Sequence, residues 1–224
     1  MNSIPLLFIF GTRPEAIKML PVVKEFQKDQ RFTIKVCVTG QHREMLDQVL
    51  DFFGVFADYD LNVMKIDQDL FSLTTNILLG LQPILMKEKP KYVFVHGDTT
   101  TSMAASLAAF YAKCSVCHIE AGLRTYDKNS PYPEEINRQI NSRIADYHFA
   151  PTKQAKNNLL QENVEKYKII VTGNTVIDAL VQTLQRTELL ETEEIKSLKN
   201  IIDLDKKINC ISSNLPQFYK ISYI

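Results

Sequence analysis

The chain has 224 residues, 45% hydrophobic and 23% charged, enough to bury a sizeable core in one domain or a little more. Its 26 Lys and Arg balance 26 Asp and Glu, so the net charge is zero and no global basic field recruits nucleic acid or an anionic membrane. A small ligand handled by local groups is expected instead.

Apolar runs rich in β-branched and aromatic residues predict strands over 4–10, 32–39, 92–96, 115–120, 147–150 and 168–172. Helical spacing fills most of the intervals, over 14–28, 44–53, 70–87, 99–112, 134–145, 153–161 and 175–186. Strands alternating with helices imply βαβ units, hence an α/β fold with a mostly parallel sheet and helices on both faces. The first run has no basic start and contains Pro5, unlike a signal peptide, and no run is long enough to span a bilayer. A cytoplasmic protein is expected, with Cys37, Cys114, Cys117 and Cys210 as reduced thiols.

Five of the seven glycines, Gly11, Gly40, Gly97, Gly122 and Gly173, fall at or just past the end of a predicted strand. In an open α/β sheet the ligand crevice lies at those carboxyl ends, so their neighbours are the candidate chemistry. After the first strand, Pro14 opens a helix whose free N–H groups suit an anion, with Arg13 and Lys18 adding positive charge; an ordinary solvated helix start reads equally well. Asp98 and Thr99 follow the strand at 92–96 and suit either a ligand or a helix cap. Glu120 ends the next strand, where a partly desolvated carboxylate can transfer protons; an ion pair with Arg124 is the plainer alternative. Glu134 and Glu135 open a further helix, and Glu134 and Arg138 are spaced for an i,i+4 pair.

Other patterns are excluded. No G-x-G-x-x-G and no P-loop string occurs, which argues against a bound dinucleotide and kinase-type chemistry. Cys114 to His118 spells C-x-x-C-H, but on a predicted buried strand, unsuited to haem attachment. His42, His96, His118 and His148 lack metal-ligand spacing, so no metal is expected.

Taken in order, GTRPEAIK at 11–18, TGQHREML at 39–46, HGDTTT at 96–101, HIEAGLRT at 118–125, PYPEEINR at 131–138 and TGNTVIDAL at 172–180 resemble the non-hydrolysing UDP-N-acetylglucosamine 2-epimerases. The resemblance implies a GT-B arrangement of two Rossmann-like domains, with 1–172 as the amino-terminal domain and 173–205 as the start of the nucleotide-binding one. It implies interconversion of UDP-GlcNAc and UDP-ManNAc without a cofactor, usually in a homodimer formed through the amino-terminal domain. By motif position, Asp98, Glu120 and Glu134 are the acid/base carboxylates, Arg13 and Lys18 hold the phosphates, and Arg138 orients Glu134. Gln41, His42 and Arg43 stand in a segment that helps some members bind a second, activating UDP-GlcNAc. Glu44 replaces a Gln of those members, which argues against activation here.

From Lys206 onward the texture changes, to nineteen residues with no acid and no glycine, and the His-Arg-Arg-Glu motif of the family's second domain is missing. An aberrant tail over 206–224, from a frameshifted or prematurely ended reading frame, is expected, with little or no turnover by the chain alone. A non-catalytic remnant or pairing subunit is the competing expectation. A GT-B glycosyltransferase is disfavoured by the HIEAGLR and PYPEEINR strings.

Overall fold

The run IPLLFIF at the start of the chain is apolar on both faces, as befits a strand covered by helices on both sides. The structure, a computed structural model, describes residues 3–40, 43–63 and 68–189. In chain order the elements are β1 (Ile4–Phe10), α1 (Arg13–Gln27), β2 (Phe32–Val38), α2 (Arg43–Phe53), β3 (Tyr59–Asp60), α3 (Leu70–Glu88), β4 (Tyr92–His96), α4 (Thr100–Tyr111), β5 (Ser115–Ile119), α5 (Glu134–Ile144), β6 (Tyr147–Ala150), α6 (Lys153–Gln161), β7 (Ile169–Val171) and α7 (Val176–Leu189).

Among the described residues the sheet has seven strands, in the order β3-β2-β1-β4-β5-β6-β7. Every pair is parallel. The α/β fold and parallel sheet are therefore as expected from the sequence. Only β3 was not anticipated; its two residues are too short to show a period.

Side chains alternate across β1. Leu7 and Ile9 join Ile77, Leu81, Ala105 and Ala109 in one core layer against α3 and α4. Phe8 faces the other way, stacked on Phe94 of β4 at 4.5 Å, with Phe26 of α1 at 5.9 Å. The strand order reverses between β1 and β4, and the crevice of an open sheet opens at such a switch point.

The chain divides into two compact units, one ending at Val176 and the other beginning at Ile177. Of the second, the described residues contribute most of α7, and the expected tail at 206–224 lies outside the described residues. No helix among the described residues is long and apolar enough to cross a membrane.

Candidate active site

At the switch point the chain is packed too closely for a side chain. A Cβ on Gly11 would lie 2.1 Å from the Thr39 hydroxyl and 2.6 Å from that of Thr101. Thr12 caps α1, and Glu15 completes a capping box. The buried Glu15 carboxylate accepts from the N–H groups of Gly11 at 2.9 Å and Thr12 at 2.8 Å, and from the Thr99 hydroxyl at 2.7 Å. Thr99, not Asp98, caps α4. One carboxylate thus ties together the two helix starts that flank the crevice. Burial pushes its pKa up, against the hydrogen bonds from Thr99, Gly11 and Thr12. Arg13 is exposed on the first turn of α1.

Glu120 follows β5 directly with φ +63°, a left-handed conformation that costs a non-glycine residue about 1–3 kcal/mol. Lys18 Nζ donates to Glu120 Oε1 at 2.6 Å, and Asn174 Nδ2 donates to the same oxygen at 3.1 Å. Oε2 faces His96 Nε2 at 3.8 Å. Burial, with the Lys18 charge adding to it, holds the His96 pKa down to about 3, so the ring is neutral at pH 7.

Asp98 Oδ2 pairs with Arg138 Nη2 at 2.8 Å. Its loop is fastened through backbone carbonyls. Asn137 donates to Asp98 O at 2.9 Å, Asn141 donates to Gly97 O at 3.1 Å, and His118 Nε2 meets Gly97 O at 2.7 Å. Burial raises the Asp98 pKa, Arg138 opposes it, and Glu120 and Glu134 push it further up. Asp98 at the mouth of β4 therefore feels both other expected carboxylates, Glu120 after β5 and Glu134 at the start of α5. Glu134 is half-buried at the first position of that helix.

Two pairings differ from the sequence reading. Arg138 turns to Asp98, and to Glu135 at 3.6 Å, rather than to Glu134. Glu135 and Arg138 share the buried face of α5, whereas Glu134 lies on its edge. Glu135 is itself saturated by Thr125 N–H at 3.0 Å, Tyr126 N–H at 3.2 Å and Gln139 at 2.8 Å. Burial works to raise its pKa, and these hydrogen bonds outweigh it and leave a net lowering. Nor does Arg124 pair with Glu120; it reaches Glu162 instead, at 2.6 Å.

Sequence reading missed Glu15, His96, Asn137, Asn141 and Asn174. Asn137 and Asn141 carried a signal in their i,i+4 spacing beside Arg138, and His96 and Asn174 in standing next to strand-end glycines. Gln41 and His42 lie outside the described residues, as does the side chain of Arg43, the first residue of α2. Among the described residues no group of three or more His, Cys, Asp or Glu is placed to hold a metal.

Chemically, the crevice offers acid and base groups with cations beside them. The family model described as UDP-N-acetylglucosamine 2-epimerase matches residues 24–208. The UDP-N-acetylglucosamine 2-epimerase of Salmonella borreze is 60% identical over 205 residues, 91% of this chain and 54% of that one. The Escherichia coli K12 protein of the same name is 52% identical over 213 residues, 93% of this chain and 56% of that one. Among solved structures, the Neisseria meningitidis UDP-GlcNAc 2-epimerase bound to UDP-GlcNAc superposes with a TM-score of 0.80 at 59% identity, over 83% of this chain and 50% of that one. The Methanocaldococcus jannaschii enzyme in complex with UDP-GlcNAc and UDP gives 0.81 at 38% identity, over 89% and 54%. The chain spans about half the length of the curated relatives it matches. It belongs to the UDP-N-acetylglucosamine 2-epimerase family.

Proposed function

We propose that this chain provides the amino-terminal half of a cytoplasmic UDP-GlcNAc 2-epimerase site, with residues 1–172 as its first domain and 173–205 beginning the second. Asp98, Glu120 and Glu134 are the acid/base groups, and Arg13 and Lys18 face the diphosphate. The supporting observation is that Asp98 and Glu120 leave neighbouring parallel strands at the crevice end, each held by a cation.

The C2 hydrogen of the sugar is α to no carbonyl, so a carboxylate cannot simply remove it. Breaking the anomeric C1–O bond changes this. The C1–O electron pair leaves with UDP, C1 gains oxocarbenium character, and the acidified C2–H gives its proton to a carboxylate while its electrons form a C1=C2 bond. Protonation of C2 from the opposite face, with return of the UDP oxygen to C1, inverts C2. Two faces require at least two carboxylates, and the departing diphosphate requires cations. Lys18, bonded to Glu120, links the base to that charge.

A coupled assay for UDP-ManNAc tests the reading. Slow turnover by the purified chain, lost on Glu120→Gln, is expected; no turnover above buffer contradicts it.

A second reading, a non-catalytic pairing subunit, draws like the first on the outer face of α3 and α4. Phe71, Leu79, Met86, Phe110 and Tyr111 are exposed there, beside a groove of about 310 Å³ lined by Leu78, Leu85 and Ala108. On either reading this face pairs two copies of the chain. Leu79→Arg should halve the mass measured by sedimentation; an unchanged mass removes this face from the interface. Dimers that form no UDP-ManNAc would favour the second reading.

A further inference from the structure

His96, the last residue of β4, is 3% exposed, and its Nε2 has no hydrogen-bond partner. A buried polar nitrogen left unpaired is costly, so one that persists beside a crevice calls for a role. It stands 3.8 Å from Glu120 Oε2. The two oxygens of Glu120 are not equivalent. Oε1 already accepts from Lys18 at 2.6 Å and Asn174 at 3.1 Å. Oε2 is turned toward His96 and Gly97, where a Cβ on the glycine would lie 3.5 Å away. The backbone of Glu120 sits at φ +63°, so side chain and main chain are both constrained to this direction.

The geometry points to His96 as a positioning residue that holds Oε2 of Glu120 through a neutral Nε2–H, leaving that oxygen as the one that exchanges protons with the sugar. This rests on the reading of Glu120 as an acid/base carboxylate. The separation exceeds hydrogen-bond distance, and a shift of about an ångström closes it; catalytic hydrogen bonds are often long before substrate binds. Neutrality serves the role. A cationic ring would pair with the carboxylate and weaken it as a base, whereas a neutral N–H donor orients the carboxylate at a smaller cost in basicity. Lys18 beside the ring and the burial of β4 both disfavour a second proton on it.

Two measurements on the whole chain test this. Imidazole ¹⁵N NMR should find His96 neutral with its proton on Nε2, and that proton's shift should move on Glu120→Gln but not on Glu25→Gln, a surface control. A proton on Nδ1, or indifference to Glu120→Gln, overturns the proposal. In turnover, His96→Leu should lower kcat about ten- to hundredfold with KM within about twofold, and His96→Gln, which keeps a donor, should recover to within about fivefold. Unchanged kcat, or equal damage in both variants with the fold intact by thermal melting, overturns it. Absence of turnover in the unsubstituted chain refutes the functional reading above and leaves the NMR result to decide the role of His96.

Discussion

Two carboxylate–cation pairs leave the same strand within four residues of each other, and they are built to opposite specifications. The Arg124 side chain is fully buried; its Nε and Nη2 donate to the two oxygens of Glu162 at 2.6 and 2.7 Å. Its remaining reach is used on Leu123 O at 2.7 Å and the Ser142 hydroxyl at 2.8 Å. Glu120, by contrast, has one crowded oxygen, another facing an unpartnered histidine, and a left-handed backbone. A pair that only holds the chain together can satisfy all its groups, whereas a pair meant to meet a substrate keeps some of its capacity open. The loop between them is fixed to α6 by the first so that the second is aimed.

Substitutions should separate the two. Glu120→Gln should cut turnover by about 10²–10⁴-fold while changing the unfolding free energy measured in urea by less than about 1 kcal/mol; a large stability loss with turnover intact would reverse the assignment. Gly122 sits between the pairs at φ +88°, and a Cβ there would lie 2.2 Å from Ala155 O, so Gly122→Ala should cost about 4 kcal/mol by urea denaturation. Arg124→Met should cost about 2–3 kcal/mol, since Glu162 is 30% exposed and can recover some water. A loss under about 0.5 kcal/mol would remove Arg124 from the scaffold.

The smallest effect per group is the most general. His96 and His118 are held down to about 3 and His148 to about 4, each mainly by burial, below the ordinary 6.5. The unfolded chain therefore binds more protons than the folded one. Stability is fully present above about pH 6.5 and is lost as pH falls toward those values, by about 1.4 kcal/mol per pH unit for each histidine. Glu15 and Asp98, whose pKa values are raised above 4.5 and 3.8, act in the opposite sense, adding stability as pH falls through their raised values. Urea midpoints at pH 7 and 5.5 should fall in that order; a flat or rising trend would mean that the rings are not buried neutral.

Much of the fold was legible because its strands are continuous apolar runs, most of them followed by glycine. Runs 4–10, 92–96 and 147–150 coincide with β1, β4 and β6, since full burial on both faces leaves no ambiguity of period. The run 168–172 shrank to β7, because Lys166–Lys168 form a 3₁₀ turn first. Candidate residues were legible by position after each strand, but their partners were not. Spacing along α5 pointed to Glu134 and Arg138, while the strand loops that α5 meets decide the pairing with Asp98. Contacts such as Lys18 with Glu120 join residues 102 apart in sequence, beyond any local pattern.

The most direct test of the central claim is hydrogen exchange at the sugar. Incubating UDP-GlcNAc with the chain in D₂O should place deuterium at C2 of the UDP-ManNAc formed, and Glu120→Gln should abolish it. Epimerisation with the C2 hydrogen retained, or equal deuterium in the substituted chain, would contradict a carboxylate-driven inversion at this crevice.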